Sequence, residues 1–483
     1  MKVQLQSSVN VPLCVDLDGT LIFSDTLVEL VCRAIKVAPW VIFLLPIWLL
    51  KGRAYLKSQL AKRFSQYVNN LPFNEDLIEF LQQEKSKGRK IYLVTACEEA
   101  LAKKIASKVD IFDDVFGTLE SLNLKGSNKA KFLVEKFGEN NFVYAGNDTV
   151  DIKVWQKSAE MMIVNANEIL KEKAKQQNFK KPFVVFDRRK SKFIFLRTIR
   201  IHQWAKNILI FVPLFLSHNF LCFEKIIQSV IAFVAFSLCA SATYIINDLL
   251  DIENDRVHYK KKFRPIPSGQ INMFTLAGVL VAFFSVSAIL AYFVNVTLLV
   301  LLGVYIVATL SYSFKIKRLI VIDIILLAFL YLFRIYFGGV AVDVEISHWL
   351  AAFATFMFLS LGAIKRYVEI LKTKEFSVEK LSGRGYSVED STIVANIGIV
   401  SGLVSVLTYI IYINYEAAQL YRNPSILFLG CFLLLYFILK IWIKAFRKQV
   451  NDDPIVYAIK TKENYILFLI FVLIFIAAKP VMA

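Results

Sequence analysis

The sequence predicts a chain in two parts: an N-terminal α/β domain with a helical cap over residues 1–170, then an all-α polytopic membrane domain of about nine helices over residues 201–483. Two observations carry this. In the first part, short apolar runs end in acids or hydroxyls, the pattern of buried parallel strands that deliver polar groups at their ends. Beyond residue 201, apolar spans of roughly twenty residues alternate with polar loops, the length needed to cross a bilayer. Between the parts, residues 171–200 turn abruptly basic and polar and read as a linker on an anionic membrane face.

Composition agrees. Of the 483 residues, 57% are hydrophobic, and the mean hydropathy of +0.53 is too high for an ordinary soluble chain. The formal charge of +18 fits nucleic acid or basic membrane loops, and the placement of the bases decides. Six Cys without a CxxC pair, and a polar start that shows no cleavable signal, suggest reduced thiols.

The first strand leads into Asp16, Leu17, Asp18, Gly19 and Thr20. A strand that presents two carboxylates on a tight turn suits one as nucleophile and the other as general acid/base beside a metal. Ile91 to Thr95 is a second strand closing on a hydroxyl, Lys125 precedes Gly126, and 142–151 ends a strand in Gly146, Asn147, Asp148 and Asp151. In order and spacing these motifs resemble those of the haloacid dehalogenase (HAD) superfamily. The resemblance implies a Rossmannoid fold, Asp16 as the nucleophile that forms an aspartyl phosphate, and Asp18 as acid/base. Thr95 and Lys125 would hold the phosphoryl group, with Lys129 the rival lysine, and Asp16, Asp18 and Asp151 would bind Mg²⁺. Asn147 stands where many members carry an acid. The apolar stretch 37–50, with Pro39 and Pro46, is too short to span and reads either as a buried cap helix or as a segment that dips into the membrane surface.

In the second part we place spans at 205–222, 226–246, 273–294, 296–314, 319–339, 347–364, 393–413, 423–443 and 463–479. Loops after even-numbered spans hold nearly all the bases; those after odd-numbered spans carry Lys225 and Arg422. By the positive-inside rule the even loops, the linker and the N-terminal domain are expected in the cytoplasm of a plasma-membrane protein. The base excess then reports topology and phosphate handling, and no nucleic-acid partner is required.

The most telling stretch is 244–269. Asp248, Asp251 and Asp255 fall at i, i+3 and i+7, one face of a continuous helix, and carboxylates so aimed suit a hard cation bridging to phosphates. Asn247, Asp248, Asp251, Asp255, Arg256 and His258, with Lys261, Arg264, Pro265 and Gly269, resemble the first signature of the UbiA superfamily of intramembrane prenyltransferases, with Tyr259 where Pro is usual. They look most like the branch that joins a polyprenyl phosphate to 5-phosphoribosyl diphosphate. Further resemblances to that branch are Lys206 and Asn207 in RIHQWAKN, Tyr312, Lys317 and Asp323 at a span's mouth, Lys365 and Arg366 with Glu369 one turn on, and 452–462. Arg334 lies inside an apolar span and reads as a phosphate ligand or an acid's partner; the adjacent Gly338 and Gly339 read as close helix packing.

The resemblance implies a Mg²⁺-dependent transfer of 5-phosphoribose to a polyprenyl phosphate in the bilayer, followed by removal of the 5-phosphate by the HAD-like domain, with self-association left open. The alternative is a prenyltransferase using a prenyl diphosphate and an aromatic or small acceptor, with a regulatory HAD-like domain. The single acid Asp323 argues against it. A transporter would place its acids near the bilayer midplane.

Overall fold

The computed structural model describes residues 5, 7–67, 69–118, 124–166, 168–176, 182–186, 193–217, 221–375, 384–450 and 454–478. Two compact units emerge, one of residues 1–198 and 248–276, the other of residues 199–247 and 277–483.

The first unit is built on a six-stranded parallel sheet in the order β3-β2-β1-β4-β5-β6. Its strands are β1 (Leu13–Val15), β2 (Ile91–Glu98), β3 (Asp114–Thr118), β4 (Val143–Gly146), β5 (Glu160–Val164) and β6 (Phe183–Phe186). Alternation decides which side chain goes to which face. Leu13, Val15, Leu93, Val143 and Ala145 join one apolar core, and Cys14, Val94, Tyr144, Met161 and Ile163 join the other. In register, Leu13 lies opposite both Ile91 and Val143, so β1 is flanked by β2 and β4. The chain winds one way from β1 to β3 and the other way from β4 to β6. The crevice at the carboxyl ends of β1 and β4 is therefore the switch point of a doubly wound sheet, where such folds bind ligands.

The cap begins with helix α1 (Thr26–Val37), whose N-cap Asp25 accepts the N–H groups of Leu27 and Val28. Two short helical pieces, Pro39–Phe43 and Leu44–Leu50, follow, then the helix Arg53–Phe64. Of the expected linker, residues 183–186 instead pair with β5 as the sheet's edge, while 177–181 and 187–192 lie outside the described residues.

The second unit is helical. Among the described residues, seven helices are long and apolar enough to cross a membrane: Phe223–Leu250, Thr275–Val294, Val296–Phe314, Ile322–Ala341, His348–Thr373, Ser391–Leu420 and Pro424–Phe446. Only 11% of the apolar window of Thr275–Val294, and 17% of that of Val296–Phe314, is buried inside the protein, which leaves broad apolar faces suited to lipid. The chain is an integral membrane protein. Among the described residues, two of the nine expected spans fall short of the roughly 20 residues a crossing needs. The first is a tight 3-10 helix, Ile201–Phe211, that gives way at Pro213 to Val212–Leu216; the ninth is the 16-residue helix Lys462–Ala477. Gly338 lets helices touch, because a Cβ there would lie 2.0 Å from the Ile210 carbonyl oxygen.

Candidate active sites

The crevice of the first unit gathers the expected phosphatase residues. Asp16 follows β1 directly, and its N–H donates to the Ala145 carbonyl at the end of β4 (2.9 Å). Its carboxylate lies 3.0 Å from the ammonium of Lys129, which is buried and also donates to the Tyr144 hydroxyl at 2.8 Å. Lys125 is exposed. This corrects the expectation that Lys125 serves the phosphoryl group: the helix Ser127–Phe137 starts after Gly126, and its first turn points Lys129, the rival, into the crevice. Thr95 is fully buried on β2, its hydroxyl accepting the Cys97 N–H (3.1 Å).

Asp18 accepts the Thr26 N–H (2.8 Å) and hydroxyl (3.2 Å) at the start of α1. Burial, helped by the charges of Asp25 and Asp16, pushes its carboxyl up to about 7, a range suited to an acid that must also act as a base. Asp151 is buried; Tyr144 donates to one of its oxygens and the N–H groups of Asn147 and Asp148 to the other. Burial and the Asp16 charge lift it to about 6. Asn147 offers its carbonyl oxygen to the Thr20 hydroxyl (3.3 Å). Gly19, at φ 75°, lies so close to Asn147 that a Cβ would fall 2.0 Å from its amide nitrogen, so the turn that carries Asp18 requires glycine. Burial is the main cause in both, with the Asp16 charge adding to each, and among the described residues no three of these acids group as a metal site.

The acidic segment of the first unit differs from a single helical face. The helix Phe223–Leu250 stops before Asp251, which has φ −97° and ψ 8° and occupies the position before the next helix, Ile252–Val257, without a side-chain capping bond. Asp248 and Asp255, each 3% exposed, still converge: one oxygen of each addresses the same Arg264 Nη1, at 3.3 and 2.7 Å. Asp251 leaves that face, and Lys36 lies 4.0 Å from it. Among the described residues no three acids, histidines or cysteines group as a metal site, so the three-carboxylate expectation becomes a pair. Two buried oxygens aimed at one cationic atom still match the donors of a hard divalent ion. Lys261 lies 3.8 Å from Asp255. The His258 Nδ1 accepts the N–H groups of Lys260 and Lys261, holding the turn.

In the second unit, two polar clusters interrupt the apolar packing. Arg334 is buried among the rings of Phe236, Tyr305 and Tyr331. Its Nε donates to the Asn207 amide oxygen (2.8 Å), and Asn207 donates to Ser237 (2.9 Å). Its partner is an amide where an acid was one expectation. The Lys206 ammonium lies over Tyr331. Asn247 lies half-buried near the end of Phe223–Leu250.

The other cluster is centred on Asp323, which is fully buried. Tyr386 donates to it at 2.7 Å and Arg366 pairs with it at 2.7 Å. Arg366 also pairs with Glu369 and donates to the Tyr312 hydroxyl (3.2 Å), which accepts a second bond from Arg384 (2.7 Å). Lys317 is buried and Lys365 half-buried. The Tyr386 hydroxyl also accepts the N–H of Val321, a β-branched residue held at φ 66°, a strained conformation that its surroundings must enforce. Tyr386 and Arg384 sit in an irregular stretch, with no periodicity to flag them.

Comparison with known proteins adds to this geometry. Residues 223–457 match the UbiA prenyltransferase family. The chain is 34% identical to the uncharacterized protein y4nM of Sinorhizobium fredii, over 94% of this chain and 88% of that protein. It is 38% identical to the decaprenyl-phosphate phosphoribosyltransferase of Corynebacterium glutamicum, over 36% of this chain and 54% of that protein. Among solved structures, a phosphoserine phosphatase captured as a phospho-aspartyl intermediate analogue aligns with TM-score 0.27 and 18% identity, over 37% of this chain and 94% of that one.

Proposed function

We propose that this chain, which belongs to the UbiA prenyltransferase family through residues 223–457, transfers 5-phosphoribose from phosphoribosyl diphosphate to a polyprenyl phosphate and then dephosphorylates the lipid-linked product. The observation that carries the reading is the convergence of Asp248 and Asp255 on one cationic nitrogen, which supports their holding Mg²⁺ against a diphosphate. The similarity to decaprenyl-phosphate phosphoribosyltransferases supports the choice of donor and acceptor.

In this reading Asp248 and Asp255 would hold the ion, which would neutralise charge on the diphosphate leaving group. Arg264 and Lys261 stand beside those carboxylates as countercharge. Arg334 and Lys206, buried cations in the membrane unit, bind anionic phosphate, and the Asp323–Arg366–Tyr312 network fixes a second cationic group. The acceptor's phosphate oxygen attacks the anomeric carbon as the carbon–diphosphate bond breaks.

For the second reaction, an Asp16 oxygen attacks the 5-phosphate phosphorus while Asp18 gives its proton to the departing ribose oxygen. Lys129 steadies the phosphoryl oxygens. Asp18, now a carboxylate, accepts a proton from the water that cleaves the aspartyl phosphate. Both reactions take place at the cytoplasmic side.

The test uses purified protein in detergent with Mg²⁺, labelled phosphoribosyl diphosphate and a polyprenyl phosphate, the lipid product being identified by mass. Asp248→Asn with Asp255→Asn is expected to abolish ribosyl transfer and leave turnover of supplied phosphoribosyl lipid. Intact transfer in that double variant refutes the assignment.

A further inference from the structure

Helix α1 makes specific contacts at both of its ends, all within the first unit. At its start, Thr26 binds Asp18 through its N–H and hydroxyl. Further along, Glu29, Arg33 and Lys36 fall at i, i+4 and i+7, one face of the helix. The buried Glu29 carboxylate takes both terminal nitrogens of Arg256, at 2.6 and 3.0 Å. Arg33 pairs with Glu253 at 2.5 Å, and Lys36 lies 4.0 Å from Asp251. Arg256 is satisfied on its remaining sides by the carbonyls of Pro267 (2.9 Å) and Asn70 (2.7 Å).

The charges run minus, plus, plus along α1 and plus, minus, minus along the partner residues. A slip by one turn would set like charges against each other, so the pattern specifies a single register. A second contact, free of charge, sits beside it. Gly269, at φ 68°, packs so tightly on Phe23 that a Cβ would lie 2.6 Å from the Phe23 Cβ. Bidentate, buried and register-specific pairing is more than incidental surface contact, which buries no ions.

We propose that α1 of the HAD-like domain is a clamp on the transferase's acidic segment, with Glu29 and Arg33 as positioning residues. They hold residues 251–256, and with them Asp255, in the conformation used for transfer. The inference rests on the reading that this segment serves diphosphate chemistry, and it makes the phosphatase-like domain a required part of the transferase. Through Thr26, the same helix also touches the phosphatase acid, which ties the geometries of the two sites to one rigid element.

The test is a pair of charge swaps in the full chain in detergent. The variants are Glu29→Arg, Arg256→Glu and both together, and Arg33→Glu, Glu253→Arg and both together. Chymotryptic cleavage after Tyr259 and Phe263, both exposed, reports the order of the segment without any substrate, and ribosyl transfer is measured alongside. Each single variant is expected to be cleaved about tenfold faster and to lose kcat rather than gain KM, and each double swap to return both within about threefold of the parent. Gly269→Ala is expected to act like a single variant. If the Arg33 and Glu253 single variants are cleaved like the parent, or their double swap is cleaved as fast as they are, the clamp is refuted. If protection is lost and restored as expected while the parent shows no ribosyl transfer, the clamp stands and the proposed substrate falls.

Discussion

The Lys129 ammonium stands 3.0 Å from the Asp16 carboxylate, the lysine 3% and the acid 14% exposed. In the proposed phosphatase reaction a cation so placed would offset charge on the phosphoryl group that Asp16 attacks, and removing one such donor from a preorganised site costs on the order of 100-fold or more in turnover. Lys129→Met is therefore expected to lower phosphatase kcat by about 100-fold, and Lys125→Met to leave it within about twofold. Steady-state hydrolysis of the phosphoribosyl lipid checks both. A strong loss in Lys125→Met with none in Lys129→Met would reverse the assignment.

That pair also shows where sequence reasoning stopped. The acids after β1 and β4 were legible because a strand end fixes where they point. The choice between Lys125 and Lys129 depended on the phase of a helix whose start, set by Gly126 in a positive-φ turn, no spacing rule supplies. The same limit applies at Asp251. Periodicity put three acids on one face, and the break after Leu250 moved one of them away. Tyr386, a partner of Asp323, and Arg384, a partner of Tyr312, were hidden because each lies more than sixty residues from the group it binds, and only tertiary packing makes those pairings.

Burial keeps Asp18 and Asp151 protonated up to about 7 and about 6 respectively, against about 3.9 for an unfolded Asp. Between those values the native state binds more protons than the unfolded one. Their contribution to stability is full below about pH 4 and is lost as pH rises to about 7. A divalent cation bound to the same carboxylates competes with those protons. In thermal melts of the full chain, Mg²⁺ is expected to raise Tm more at pH 8 than at pH 5, and Asp18→Asn to shrink that difference. A Mg²⁺ effect that is larger at pH 5 would contradict the model of shared oxygens.

Asp323 and Arg366 are both fully buried, so each depends on the other's charge. Arg366→Met leaves a carboxylate with Tyr386 as its remaining close donor, and breaking a buried pair in this way costs about 3–5 kcal/mol. Adding Asp323→Asn removes the stranded charge and is expected to recover more than half of the loss. Tyr386→Phe should cost less, about 1.5–3 kcal/mol for a hydrogen bond to a charged group. Denaturation in detergent micelles measures all three. Equal stability of Arg366→Met and the parent would show that the pair carries no weight.

The cap segment Pro39–Leu50 turns Val41 and Trp48 inward and leaves Trp40, Phe43 and Leu50 outward, with Phe43 76% and Leu50 89% exposed. Water disfavours such a row of large apolar side chains, whereas the boundary between headgroups and acyl chains accepts it, especially beside cations such as Lys51 and Arg63. Arg63 already lies over the Trp48 ring, 5.2 Å from its centre. Of the two sequence readings, a buried cap helix accounts for Val41 and Trp48, with Leu44 and Leu45 packed against the same core, and the outward residues favour the membrane-surface reading, which labelling tests. With the full chain in nanodiscs and a fluorophore on Phe43→Cys or Leu50→Cys, nitroxide-labelled lipids are expected to quench strongly. A label on the exposed Lys131→Cys, on the helix Ser127–Phe137, is expected to stay bright. Replacing Trp40, Phe43 and Leu50 with Ser should slow dephosphorylation of the lipid-linked substrate by raising its KM, while leaving hydrolysis of a water-soluble phosphate ester unchanged. Equal quenching at all three labels, or equal loss on both substrates, would return the segment to an ordinary part of the cap.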